Sequence, residues 1–368
     1  MSVQLGYIIP KEDQAPLPKY YCSINDLPNK IGGLPIWLDP RNPAGRVECG
    51  NCSKQMPLLL QLYAPQDYPS NAFHRVVYVF CCKSGSCVIS NKGIKVLRLQ
   101  LERENEIYNE EGDLLIEFQV QDGALSNSKG VNYCYICGKS APSRCGKCHV
   151  NKYCSREHQE LDWTHGHHKH LCGTGNEARN EIKSWLSTFN FPELEMEEEE
   201  EPEKKVEQVE PEIMEKLNVK EEGDNVLEDE DETEAEVDRT FLKFQKRISL
   251  SPDQVLRYGR QPEGDNPLWA SDIGRNNTIP NCPKCSSPRT FEFQLTPQLL
   301  SHLELNNKDP NSIDWGTVIV YTCKSDCDAA NGQYAEEYAF VQEFASAGLG
   351  DSHRKILAER AEKEETQD

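Results

Sequence analysis

The residues best equipped for chemistry in this chain are its thiols. Sixteen cysteines and nine histidines occur in 368 residues, and most of them come in close pairs. The densest run reads Cys134-x2-Cys137, Cys145-x2-Cys148, Cys154-x3-His158 and His168-x3-Cys172. Four pairs supply eight donors, enough for two tetrahedral zinc ions, because x2 and x3 spacings let both members of a pair reach one ion. Alternation of the pairs points to interleaved binding. Cys134, Cys137, Cys154 and His158 would hold one Zn2+, and Cys145, Cys148, His168 and Cys172 the other. His165, His167 and His170 lie close by; only His168 keeps the x3 spacing, with His167 as its competitor. Closed donor sets leave no open position, so such ions stabilise rather than catalyse.

Two weaker clusters flank this run. Cys49-x2-Cys52 with Cys82-x4-Cys87 would make one four-cysteine zinc site, and Cys282-x2-Cys285 with Cys323-x3-Cys327 a second. The bland alternative is buried thiols packing as small apolar groups. A further alternative has the half-sites trading pairs. The two clusters sit at matching places in a repeat. Gly32-Gly33-Leu34-Pro35-Ile36-Trp37 resembles Gly264-Asp265-Asn266-Pro267-Leu268-Trp269, and a C-x2-C opens twelve and thirteen residues later. Gln61 and Gln294 each follow nine residues on, and Cys82-Lys83-Ser84 matches Cys323-Lys324-Ser325. That alignment selects Cys82 over Cys81 as a ligand and leaves Cys22 and Cys81 structural.

The elements that must position these donors read as mainly β, in an α+β arrangement. Short aliphatic and aromatic runs at 58–63, 76–80, 94–101, 114–120, 317–322 and 338–344 are bounded by Gly, Pro or Asn and predict strands. Helices are expected at 178–189, at 240–250 and in the tail from 352. Charge is unevenly spread: between 193 and 238, 23 Asp and Glu stand against four Lys and no Arg. The rest of the chain, with 38 acidic and 36 basic residues, is close to neutral. An acidic, aromatic-poor segment buries too little apolar area to offset its ordering entropy, so 193–238 reads as a disordered linker. The expected organisation is a β-rich unit at 1–130, a finger at 131–175, a short helix and linker at 176–238, and a second β-rich unit at 239–368. The fold class is thus a duplicated β-rich, Cys-containing unit with an inserted finger and an acidic linker.

Several function classes recede. No basic segment followed by an apolar one opens the chain, so no secretory signal is expected, and sixteen cysteines without one imply a reducing compartment, where closely spaced thiols more often bind metal than form disulfides. No apolar run approaches a membrane span. The charge balance disfavours a nucleic-acid binder. For an enzyme, the phosphate loop, nucleophile elbow, H-E-x-x-H motif and the Asn-His-Ser/Cys core of a SET methyltransferase are all missing from the sequence.

The residues also carry a family resemblance. Gly-Gly-x-Pro-x-Trp at 32–37, the first C-x2-C, Leu60-Gln61-Leu62-Tyr63-Ala64-Pro65, Phe73-His74-Arg75 and Gln254-Val255-Leu256-Arg257-Tyr258 are similar to the programmed cell death protein 2 family. The middle cluster resembles a MYND zinc finger, with Tyr153 before Cys154 and the Gln159…Trp163 pair after His158. The family resemblance implies a non-enzymatic chaperone for a basic small-subunit ribosomal protein, the eukaryotic S2 protein. It also implies action in 40S ribosome biogenesis, in cytoplasm and nucleus, with links to stem-cell maintenance and cell survival. The MYND resemblance implies a shallow groove, lined by Gln159 and Trp163, for proline-containing peptides of nuclear adaptors. Neither implies direct sequence-specific contact with nucleic acid.

Overall fold

Runs such as Val76-Val77-Tyr78-Val79-Phe80 and Val318-Ile319-Val320-Tyr321 suit a pleated surface buried on both faces, and they form the centre of the fold. The computed structural model describes residues 3–14, 16–18, 22–115, 118–121, 124–127, 131–173, 183–202, 239–260, 266–272, 274–276, 278–306, 308–327 and 333–343. The N-terminal part supplies β1 (Gln4–Ile8), β2 (Lys30–Ile31), β3 (Leu58–Tyr63), β4 (His74–Cys81) and β5 (Ile94–Leu101). Two small hairpins follow, β6 (Phe118–Gln121) with β7 (Ala124–Asn127) and β8 (Ser143–Arg144) with β9 (Lys152–Tyr153). The remaining strands are β10 (Leu194–Glu200), β11 (Gln254–Tyr258), β12 (Arg289–Leu295), β13 (Thr317–Cys323) and β14 (Ala335–Gln342).

Ten of these strands close one antiparallel barrel in the order β1-β10-β2-β3-β4-β5-β14-β13-β12-β11. Two meanders, β2 to β5 and β11 to β14, therefore share a single barrel instead of standing as separate units. Each meander alone would present two unpaired edges. Joining β5 to β14 on one side, and bridging the other with β1 and β10, removes them. Alternate residues point inward: Val77, Val79 and Cys81 of β4 join a core with Phe293, Leu295, Val318 and Val320. Val76, Tyr78 and Phe80 pack on the opposite face beneath Trp37. One end is plugged by α1 (Gly85–Ile89) and a 3-10 turn, Pro297–His302, whose Val88 and Leu299 enter the shared core. The other end is filled by buried charge from Arg75, Arg98, Glu292 and Glu337.

The meanders correspond in detail. Gln61 Oε1 accepts from Ile36 N at 2.8 Å, and Gln294 Oε1 accepts from Leu268 N at 2.7 Å. A bulge interrupts the β3–β4 pairing between Leu58 and Leu60, and the same irregularity lies between Phe291 and Phe293 in β12–β13.

The linker expected at 193–238 requires correction. Residues 194–200 are strand β10, paired along β1 from Gln4↔Glu200 to Ile8↔Met196. Leu194 and Met196 alternate into the core while the glutamates between and beyond them stay at the surface; backbone pairing and two apolar anchors outweigh the charge. Residues 203–238 lie outside the described residues. The expected 178–189 helix is a 3-10 turn over Lys183–Thr188, with 174–182 outside the described residues. Of the expected 114–120 strand, 118–120 lie in β6, Leu114 makes a lone bridge with Tyr108, and 116–117 lie outside the described residues. The 240–250 helix forms α4 (Arg239–Ser249), after α2 (Arg156–Thr164) and α3 (His168–Leu171) of the finger. The charged tail from 352 lies outside the described residues. Among the described residues no helix is long and apolar enough to cross a membrane.

Candidate metal centres

Each C-x2-C pair adopts one local turn. The amide of the residue four places after the first cysteine donates back to that cysteine's carbonyl: Ser53 to Cys49, Gly138 to Cys134, His149 to Cys145 and Ser286 to Cys282, all at 2.9–3.0 Å. Those four donors all have φ between +58° and +67°. Glycine takes that conformation freely, but Ser53, His149 and Ser286 do so against a steric cost of about 1–2 kcal/mol. The turn is kept because it aims both thiols at one point.

The second pair of each set comes from the end of a regular element. Ser155 caps α2, accepting from His158 N at 3.2 Å, and so places His158 in the first helical turn just after Cys154. His168 opens α3 and Cys172 follows its last residue. Cys82 directly follows β4, and Cys87 lies in α1. Cys323 ends β13, and Cys327 follows Asp326, whose φ is +40°.

Among the described residues the donors gather into four groups of four: Cys49, Cys52, Cys82 and Cys87; Cys134, Cys137, Cys154 and His158; Cys145, Cys148, His168 and Cys172; Cys282, Cys285, Cys323 and Cys327. Within each group all donor atoms lie within 4.8 Å of one another. A tetrahedral site with Zn–S bonds of about 2.3 Å has edges of about 3.8 Å. The observed edges match: Cys52–Cys82 3.7 Å, Cys137–Cys154 3.6 Å, Cys145–Cys172 3.9 Å, and Cys282–Cys327 and Cys285–Cys323 3.5 Å. Mixed edges are similar, with Cys134 Sγ–His158 Nδ1 at 3.5 Å and Cys148 Sγ–His168 Nε2 at 3.6 Å. A disulfide would bring two sulfurs to about 2.05 Å, so these are chelate spacings. Hydrogen bonds from Ser287 pull the exposed Cys285 thiol down to about 6, whereas burial pushes the Cys323 and Cys327 thiols of the same group up.

His168 carries its ring into the cluster, whereas His167 is exposed and holds the left-handed turn before α3. Cys81 is buried beside the N-terminal group, its thiol directed to the Cys82 carbonyl at 3.3 Å, and Cys22 lies apart from all four groups. Gln159 and Trp163, one turn apart on α2, are both half-buried. The Trp163 ring stands edge-on to His168 with centroids 5.7 Å apart, so it covers part of the second cluster.

Spacing gave no sign of the supporting shell. Asp162 is fully buried, accepts from Tyr153 OH at 2.5 Å and Asn151 Nδ2 at 3.1 Å, and sets its Oδ2 3.9 Å from His168 Nδ1. At 3.9 Å the carboxylate is beyond hydrogen-bond reach of the ring, so it acts on the imidazole through its charge. Its only sequence signal is an acidic residue on the helical face opposite the exposed glutamates. The first cluster is bolted to the barrel: Trp37 Nε1 donates to Gly138 O at 2.8 Å, and Lys139 Nζ to Met56 O at 2.6 Å while lying 4.8 Å over the Phe80 ring. Buried charge grips the C-terminal cluster, since Arg98 donates to Cys327 O at 3.1 Å and Glu337 accepts from Cys323 N at 3.1 Å.

Family models match in three places: the programmed cell death protein 2 N-terminal domain over residues 2–113, a MYND finger over 134–172 and the programmed cell death protein 2 C-terminal putative domain over 238–343. The chain belongs to the programmed cell death protein 2 family. Within that family it is 37% identical to Programmed cell death protein 2 of Bos taurus over 343 residues, covering 90% of this chain and 95% of the relative. Identity to the human Programmed cell death protein 2-like is 28% over 344 residues, covering 86% and 90%. A Schizosaccharomyces pombe member named Probable 20S rRNA accumulation protein 4 is 25% identical over 376 residues, covering 85% and 92%. No solved structure matches. The MYND match overlies the two central donor groups, and identifies them as those of a zinc finger.

Proposed function

We propose that this chain is a non-enzymatic chaperone and adaptor for a basic small-subunit ribosomal protein, the eukaryotic S2 protein, acting in 40S biogenesis in cytoplasm and nucleus. The observation that carries the reading is the likeness, over 85% of the chain, to a yeast relative named for 20S rRNA accumulation. Three features support it. The four donor groups are closed sets of four, suited to structural Zn2+ in the flanking clusters as in the finger. The shared landmarks and matching bulges support reading the two meanders as copies of one unit, a stable frame for holding a partner. The acidic run from 193 to 238 suits a client rich in Lys and Arg, whose charge it would screen and whose approach it would speed. Affinity purification at moderate salt tests this: one small-subunit ribosomal protein should dominate near stoichiometrically, and dominance of chromatin factors would overturn it.

A second reading rests on the finger. Gln159 and Trp163 share one face of α2 and keep partial exposure, as a shallow groove for proline-containing peptides of nuclear adaptors requires. Because Trp163 also packs against His168, titration of the full chain with such peptides should compare Trp163→Phe, which keeps the packing, with Gln159→Ala. Unchanged affinity in both variants would remove the groove.

A further inference from the structure

The charged end of the barrel opens into a cleft of about 740 Å3. Its wall is assembled from both meanders and from the strands that bridge them: Gln4 of β1, Glu198 of β10, the 62–73 segment, and Tyr258, Arg260 and Asp326 of the C-terminal half. The cleft therefore exists only when the barrel is closed. Its floor is electrostatically settled, since Arg260 is paired with Glu292 at 2.8 Å and with Asp326 at 2.5 Å. The rim is different. Asp67 and Glu198 line the cleft, and Glu102 and Glu104 line the adjoining depression that shares Asp67 and Tyr68 with it. Among the described residues none of these four carboxylates has an ion-pair partner. Glu198 takes one hydrogen bond, from Asn29 Nδ2 at 3.1 Å, and the surrounding wall raises its carboxyl above the ordinary value by desolvation. Of the cations at this rim, Arg103 is already stacked 5.2 Å over Phe73, leaving Lys324.

An aromatic stands over this acidic rim. Tyr68 is 87% exposed, the most exposed large side chain with apolar surface among the described residues, and it borders both depressions. Its loop is ordered by backbone bonds from Gln66 N to Ala72 O at 3.1 Å and from Ala64 N to Arg75 O at 2.8 Å. An ordered, solvent-facing phenol ring between unpaired carboxylates offers a cation both a π face and a counter-charge.

We propose that this cleft is a docking site for an extended lysine- and arginine-rich protein segment, with one cationic head between Asp67 and Glu198 and its aliphatic stem along Tyr68 and Phe73. Its physiological meaning rests on the chaperone reading above, since a basic client supplies such a segment. Charge complementarity selects this occupant over an apolar or acidic one. β10 carries the same sign outward, with Glu197, Glu199 and Glu200 exposed next to Glu198.

The test uses the full chain and a fluorescent peptide of alternating arginine or lysine with glycine. Its control is the same peptide with glutamate in place of the basic residues. Asp67→Asn with Glu198→Gln, both isosteric, should weaken binding about tenfold, and Tyr68→Ala about fivefold, with circular dichroism unchanged. A benzophenone side chain at position 68 should crosslink the basic peptide and spare the acidic one, even when 203–238 is deleted. Unchanged affinity in both variants, or loss of the crosslink on that deletion, would overturn the site. The same photoreactive chain expressed in cells separates this site from the wider function. A small-subunit ribosomal protein that co-purifies without crosslinking to position 68 refutes the cleft and leaves the chaperone role. Peptide crosslinking with no ribosomal protein co-purifying keeps the cleft and refutes that role.

Discussion

Arg75 of β4 and Glu292 of β12, 217 residues apart in the chain, meet in two parallel hydrogen bonds of 2.7 and 2.9 Å with neither side chain reaching solvent. Arg75 also reaches Asp326 at 3.1 Å, and Arg260 approaches both acids from above. The contact crosses between the meanders, so the barrel's charged end is a joint as well as a filling.

Breaking this joint from one side leaves buried charge without compensation. Glu292→Gln should destabilise the protein by about 3–5 kcal/mol, read as a lower midpoint in urea unfolding. A loss below about 1 kcal/mol would mean that water reaches the site.

Acid should erase that difference. Glu292 is buried, which alone would raise its pKa, but Arg75 and Arg260 hold the carboxyl well below the usual carboxylate range. Its contribution is thus fully present above an unfolded-state pKa of about 4.3, and it is lost as pH falls towards the depressed folded value. The stability gap between the native chain and Glu292→Gln should stay constant from pH 7 to about pH 5 and narrow below about pH 4. A gap that widens in acid would reverse the assigned sign.

Native mass spectrometry should find four zinc ions on the full chain, falling to three in Cys285→Ser and in Cys52→Ser. Two ions on the unmodified chain would confine metal to the finger and return the flanking thiols to a packing role.

Within the finger, His168→Ala should release one ion while His167→Ala keeps both. Asp162→Asn should retain the metal with an affinity lower by about tenfold, because it removes a buried charge near the ligating imidazole. Chelator competition measures both, and equal behaviour of the two histidine variants would refute the ligand assignment.

Trp37→Phe deletes the indole bond to Gly138 while keeping most of the apolar volume. The loss should be about 1–3 kcal/mol, because the Gly138 carbonyl is left buried and unpaired. Protease access to the segment joining barrel and finger should rise, with the zinc count unchanged.

What was legible in the sequence was local. A chelating pair is a two- to four-residue feature, so the donors that converge are those whose spacing already paired them. Strands β3 and β5 are strongly apolar and punctuated, and their observed bounds coincide with the expected 58–63 and 94–101. Strand β10 was hidden because Leu194 and Met196 are too few to show a period through five glutamates. Its conformation is fixed by β1, nearly the whole N-terminal half earlier in the chain. Strand β2, two residues long, carries no pattern at all, yet Lys30 and Ile31 pair with both β3 and β10. Closure of one barrel was equally invisible, since the β5–β14 pairing joins residues such as Arg98 and Ala335. Spacing cannot announce Asp162 either, because its role depends on which helix face turns towards His168.

Gly32 shows how tightly the chain's return from the finger is fitted. A side chain there would place its first carbon 2.0 Å from the Pro192 carbonyl oxygen, at the point where the polypeptide re-enters the barrel to begin β10. The barrel's last strand, β14, is made long after β5, and until then β5 has a bare edge. A growing chain thus carries a sheet edge open to foreign strands throughout the synthesis of everything between β5 and β14. Termination anywhere before residue 335 would leave the β5 edge without its partner strand.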